Sequence, residues 1–158
     1  MGLNLKRKAK RRLPPRQHAP LVQPTAPNET WFLDFISDSL SSGRKFRTFN
    51  VLDDFNREAL AIEINTSIPA VYVIRVLERI IFFRPKPQKT RVDNGPEFIS
   101  QDFVGWCKKE DIEIIYIQPG KPMQNAYIER FNGSFRRDVL DANWFKEMDE
   151  IRQYAENW

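Results

Sequence analysis

A single cysteine, Cys107, and a single histidine, His18, narrow the chemistry open to this chain before any motif is considered. One cysteine cannot form an intrachain disulfide, and with one histidine beside it no Cys/His zinc cluster can be assembled. The same count removes a histidine-based triad from the core. No apolar run approaches the roughly 20 residues that a membrane span needs, and the start lacks the charged-then-apolar pattern of a signal segment. A soluble, cytoplasmic protein is expected. The tools left for catalysis are carboxylates, which suit a hard, oxygen-seeking cation such as Mg2+ or Mn2+.

At 158 residues the chain fits one domain, able to bury about two thirds of the surface its unfolded form exposes. The net charge of +4 hints at a polyanionic partner, but its distribution matters more than its sum. Seven basic residues and no acid lie in positions 1 to 16 (Lys6, Arg7, Lys8, Lys10, Arg11, Arg12 and Arg16), so the remainder carries −3. A run of this kind binds phosphates through counterion release with little sequence preference. Composition alone fits a solvated tail equally well.

Residues 1–28 add Pro14, Pro15, Pro20, Pro24 and Pro27 to that run and read as a basic, proline-rich linker or arm. From Glu29 the pattern becomes a string of short elements. ETWFLDFISD has strand length; KFRTFNVLDDF alternates Phe46, Thr48 and Asn50 against Arg47, Phe49 and Val51; EALAIEINT follows a turn-forming DDFNRE. Three strands in succession with short turns predict an antiparallel meander. SIPAVYVIRVLERIIFFR then predicts a helix capped by Ser67, with Pro69 in its first turn and Ala70, Ile74, Leu77 and Ile81 on its core face. KTRVDNG reads as a strand ending in an Asn-Gly turn, ISQDFVGWCKKED as a helix, IEIIYIQPG as a buried strand and NAYIERFNGSFRRDVLD as a helix, with a last helix near residues 147–158. The order βββαβαβα implies an α/β domain whose mixed five-stranded sheet joins the meander to two parallel strands flanked by helices.

Three acids stand out. Asp34 sits in the middle of WFLDFI, where a buried carboxylate without a partner costs several kcal/mol; either a cation compensates it, or it lies on an exposed face or pairs with an arginine. Asp38, beside serines and Gly43, reads as a turn residue. Asp93 closes KTRV before Asn94-Gly95, at the kind of strand end where ligands of α/β sheets collect, although local turn bonding would also account for it. Glu129 falls in the helix after QPGKPMQNA. At about 100° per residue Asn125, Glu129 and Arg136 share one side, and Ile128, Phe131, Phe135 and Val139 the other. An ordinary solvated glutamate has the same pattern.

Order and context favour the functional alternative for all three. TWFLDFISDSL, RTFNVLDDFNREALAIEI, RVDNGPEF and QPGKPMQNAYIERFNG, spread over nearly all of residues 29–158, resemble the DDE superfamily of transposases and retroviral integrases, and within it the cores of bacterial insertion-sequence transposases. Asp93 and Glu129 are separated by 35 residues, as the second and third acids of that superfamily typically are, and Arg136 holds its basic position seven residues after the glutamate. The sequence departs from the pattern at Val92, where close relatives usually carry serine, and at Gln124, where many members have an acid.

The resemblance implies an RNase H-like fold and a catalytic core over residues 29–158. Asp34, Asp93 and Glu129 would be its catalytic acids and would bind two divalent metal ions, Mg2+ or Mn2+. The implied activity is metal-dependent DNA cleavage and strand transfer at insertion-sequence ends, by a homo-oligomer acting on transposon end and target DNA in the bacterial cytoplasm. Asn94 and Asn125 would orient the acids or touch DNA, or else serve in a turn and a helix cap. Arg136 would grip phosphates, Arg130 would do so or else only solvate its helix face, and Lys121, with Gly120 and Pro122, would lie in a loop that shifts when DNA binds. Against the family's length the chain reads as C-terminally truncated and without an upstream helix-turn-helix region. That leaves a second reading open, a catalytically silent DNA-binding or dimerising regulator of a full-length transposase. The four tryptophans are expected in the core or at interfaces.

Overall fold

The computed structural model describes residues 22–118 and 126–158. The basic run, and Gly120, Lys121, Pro122, Gln124 and Asn125, lie outside those residues. The expected meander is present as β1 (Thr30–Ser39), β2 (Lys45–Asp53) and β3 (Ala59–Asn65), followed by the helix α1 (Ala70–Phe83) and the strand β4 (Lys89–Val92). A short helical turn, α2 (Pro96–Ile99), leads into α3 (Gln101–Lys109), then β5 (Glu113–Tyr116), α4 (Ala126–Phe135) and α5 (Met148–Asn157). The sheet order is β3-β2-β1-β4-β5, with β1 antiparallel to β2, β2 to β3, and β4 parallel to both β1 and β5.

That order puts β1 in the middle and forces α1 to cross the sheet between the β3 edge and β4. Strand alternation divides β1 between the two faces. Trp31, Leu33 and Phe35 meet Phe49 and Val51 from β2, and α1 and α3 close over them with Val73, Val76, Leu77, Ile80, Phe103 and Trp106. Phe32 and Ile36 face α4 and α5. There the core is split: Phe32 and Leu52 pack with Ile117 and Ile128, while Ile36, Phe46 and Ile64 pack with Phe135, Val139 and Ile151. Each such side chain, fully buried, contributes about 1.5–3 kcal/mol. Asp34 falls between the two clusters.

Several local expectations change. The N-cap of α1 is Pro69, without a side-chain cap bond, so Ser67 does not cap it. Its buried face is Ala70, Val73, Val76, Leu77 and Ile80: Ala70 and Leu77 are buried as expected, whereas Val73 and Ile80 take the places expected of Ile74 and Ile81, which are only partly buried. The chain turns at Asn94-Gly95 without a left-handed residue: Gly95 has φ −59° and opens α2. β5, expected to be buried, is a four-residue edge strand, paired among the described residues with β4 alone, and Tyr116 on it is 36% exposed. Asp38 lies within β1 instead of a turn. The helix carrying Glu129 ends at Phe135 and runs on as a π-helical segment, Arg136–Leu140. Trp31 and Trp106 belong to the core, whereas Trp144 is 88% exposed. Among the described residues no helix is long and apolar enough to cross a membrane.

Candidate active site

β4 lies parallel to β1 with Trp31 opposite Thr90 and Phe32 opposite Arg91. Continuing that register two rungs brings Asp93, just past the end of β4, level with Asp34. The two acids thus meet because their strands are hydrogen-bonded neighbours, although 59 positions separate them. α4 runs along the same face of β1. Asn132 donates to Asp34 Oδ2 at 2.5 Å, and one turn later Arg136 donates to Asp38 Oδ2 at 3.2 Å and to the Ser37 carbonyl at 3.1 Å. Glu129 precedes Asn132 by three residues, which places the two on adjacent positions of one helix face. Ile128, Phe135 and Val139 are buried as expected, and Glu129 is exposed.

Asp34 is partly buried, and its carboxyl is pushed up to about 6 from the usual 3.8. Burial is the main cause, and the negative charges of Asp93 and Glu129 add to it, against the hydrogen bonds from the Phe35 N–H and Asn132. Those two charges reach Asp34 through space, so acids from β1, the end of β4 and α4 share one electrostatic neighbourhood. None of the three forms a salt bridge among the described residues. Nor do they close into a ready metal cage: among the described residues no group of three or more His, Cys, Asp or Glu stands close enough to hold a metal ion.

Asp93 is exposed, and its Oδ1 accepts the Gly95 N–H at 2.8 Å. A Cβ at position 95 would lie 2.8 Å from that same oxygen. Glycine follows Asp93 at this distance because the carboxylate occupies the space a side chain would need. Asn94 and Arg130 are exposed, and Arg137 is 72% exposed beside Asp138 and Ser134. Arg136, expected among the phosphate-binding residues, is engaged with the end of β1.

Two residues of the site escaped the sequence reasoning. Asn50, fully buried on β2 and paired with Asp34 in the sheet register, donates to Asn132 Oδ1 at 3.0 Å. Asn132 therefore links Asn50 to Asp34 with both ends of its amide. The available signals were the alternation that puts Asn50 on one face with Phe46 and Thr48, and the three-residue step from Glu129 to Asn132. Cys107 is buried in the opposite layer, where desolvation pushes its thiol up to about 12.

Two integrase core domain families match the chain, one over residues 24–122 and the other over residues 110–158. The chain is 42% identical over 153 residues to an uncharacterized 39.2 kDa protein of insertion element IS476 from Xanthomonas euvesicatoria, covering 97% of itself and 44% of that protein. It is 41% identical over 157 residues to an uncharacterized 31.7 kDa protein of insertion element IS407 from Burkholderia multivorans, covering 99% of itself and 57% of the relative. The chain therefore spans about half the length of these curated relatives. Its fold is similar to that of the HTLV-2 integrase catalytic core domain in complex with magnesium, in its trimeric form, with a TM-score of 0.61 and 22% identity over 75% of this chain and 72% of that one. The mixed sheet with flanking helices is the RNase H-like architecture.

Proposed function

Because the chain belongs to the integrase core domain family, we propose that it is the catalytic core of an insertion-element transposase, cutting DNA at the ends of its element and joining the freed ends to a target. The observation that carries this reading is the convergence of Asp34, Asp93 and Glu129 from three separate elements, with two of the charges raising the third and, among the described residues, no arginine or lysine paired with any of them. Such an arrangement costs stability in the free protein and is best explained by a ligand of opposite charge.

The donor set fits Mg2+ or Mn2+. It is made of carboxylate oxygens, with no thiolate or imidazole beside them among the described residues to favour a softer ion. The related HTLV-2 core carries magnesium. Divalent cations held by the three acids would supply activation of the attacking oxygen and stabilisation of the leaving one. Within this frame Asn132 fixes the Asp34 carboxylate through Oδ2, and the Gly95 N–H holds that of Asp93 through its Oδ1. Cleavage would use water as nucleophile at phosphorus and release a 3′ hydroxyl. That hydroxyl would then attack a second phosphodiester, displacing its 3′ oxygen, so that hydrolysis and joining use one site. Asn94, Arg130, Lys121 and Asn125 are proposed to contact DNA around it, and a homo-oligomer to bring two DNA ends together.

The test is to incubate the protein with Mn2+ or Mg2+ and a labelled terminal inverted repeat, beside Asp93→Asn. Metal-dependent nicking and strand-transfer products from the parent, reduced at least about a thousandfold in the variant, are expected for loss of a metal ligand. Equal activity in both would remove the acids from the mechanism. DNA binding without cleavage in either would favour the silent regulator.

A further inference from the structure

Each of the three acids follows, by two residues, a side chain that belongs to a second, connected layer. Phe32 precedes Asp34, Arg91 precedes Asp93 and Tyr127 precedes Glu129. In a strand a two-residue step keeps the same face, so Phe32 shares the face of Asp34 on β1, and Arg91 lies in β4 two residues before Asp93, which stands just past the strand's end. The Arg91 guanidinium carbon lies 5.3 Å from the centre of the Phe32 ring, and its NH1 donates to Asp54 Oδ2 at 2.5 Å in a pair only 3% and 0% exposed. The other oxygen of Asp54 accepts from Arg57 at 3.1 Å. The Arg57 guanidinium carbon in turn lies 3.4 Å from the centre of the Tyr127 ring.

We propose that Arg57 is a positioning residue for the third acid, holding the first turn of α4, and with it Glu129, in register with Asp93 through the chain Tyr127, Arg57, Asp54, Arg91. This inference rests on the metal-binding reading of the acids given above. Three observations converge on it. Tyr127 is 41% exposed and would have little reason to stay in place by apolar burial alone. Arg57 adopts φ 64°, a left-handed conformation that a non-glycine residue keeps where its surroundings hold it, and its N–H donates to the Asp53 carbonyl at 3.0 Å. Asp54 is 1% exposed, so its two guanidinium partners act in a medium where removing either one leaves a charge poorly compensated. The β2–β3 turn thereby ties the start of α4 to β4. One turn further along α4, Asn132 makes the second tie, to Asp34.

The test compares Arg57→Gln, Tyr127→Leu and Tyr127→Phe in the full chain, with two readouts: amide hydrogen exchange over residues 126–132 without metal, and binding of Mn2+ alone followed by electron paramagnetic resonance. A stacked cation of this kind supports an expected change of about fivefold or more. Arg57→Gln and Tyr127→Leu should speed exchange and weaken Mn2+ binding by that factor, and Tyr127→Phe, which keeps the ring, should match the parent in both. In the double variant Arg57→Gln/Tyr127→Leu the loss should not exceed that of Arg57→Gln alone, because that change already removes the stack on Tyr127 along with the Asp54 pair. Parent-like exchange in Tyr127→Leu, equal damage from Phe and Leu, or an unchanged Mn2+ affinity where Asp93→Asn abolishes it would each overturn the proposal. If Asp93→Asn also leaves Mn2+ binding untouched, the metal reading has failed, and the exchange rates alone decide whether Arg57 holds α4.

Discussion

Asp34 and Asp54 are both carboxylates drawn out of water, and burial raises the pKa of both, but their neighbours differ in kind. Asp54 is enclosed by Arg91 and Arg57, and each of its oxygens has a guanidinium partner. Asp34 has an amide from Asn132 and, around it, the negative charges of Asp93 and Glu129. The lower layer is satisfied by the protein itself. The upper one is left with an excess of negative charge. Structural acids come with their counter-charge; acids that await a ligand are held in place by neutral amides, which orient a carboxylate without neutralising it.

The comparison is easiest to break in the lower layer. Arg91→Met leaves Asp54 in a closed site with one guanidinium in place of two, and removes the 2.6 Å bond from Arg91 to the Val22 carbonyl. A loss of about 3–5 kcal/mol is expected for splitting a buried pair, seen as a fall in melting temperature of roughly 10 °C or more. Adding Asp54→Leu should recover most of it, since the cost lies in the charge left behind. A loss below about 1 kcal/mol for Arg91→Met would mean that water reaches Asp54 and that the two layers do not differ as described.

In the upper layer the sign reverses. The folded Asp34 carboxyl holds its proton more tightly than the unfolded one, about 6 against 3.8. Stability therefore falls as pH rises through that window, and the whole cost is present above it. Two units correspond to at most about 3 kcal/mol. Asp34→Asn, a neutral residue of the same shape, should raise the melting temperature at pH 8 by several degrees and change it little at pH 4, even as it removes a proposed metal ligand. Destabilisation at pH 8 would show that Asp34 is compensated after all.

The contrast between the layers also explains what could be read from the chain. The five strands were legible because period-two alternation survives in β1 and β2, where one apolar set faces α1 and the other α4. Strand β5 was misjudged because an apolar run does not reveal whether a second strand lies beyond it. The face of α1 was half right, at Ala70 and Leu77, since the helix is apolar over most of its circumference and only packing selects Val73 and Ile80 over Ile74 and Ile81. Asp34, Asp93 and Glu129 were marked by their spacing and surroundings, and the proposed roles rest on that order together with their convergence. Asn132, Asn50 and the arginine layer left no comparable trace. Each acts through a partner tens of residues away, and DDFNRE reads as turn chemistry until folding brings Arg57 over Tyr127.

The smallest expected effect concerns the same strand. Asp38 lies four residues beyond Asp34 on one face of β1 and has the cation that Asp34 lacks, Arg136, in a pair 41% and 26% exposed. Water screens such a pair, so Arg136→Gln should cost under about 1 kcal/mol of stability and less still in high salt. Its DNA affinity separates two roles for the arginine. If Arg136 only fastens α4 to β1, the dependence of binding on salt keeps the parent slope. If it leaves Asp38 for a phosphate, the slope of log K against log salt becomes shallower by about 0.9, one counterion fewer. In that event Asp38 would lose its partner when DNA binds, and the face of β1 that holds Asp34 would gain a further uncompensated acid, extending the negative layer toward the strand's end.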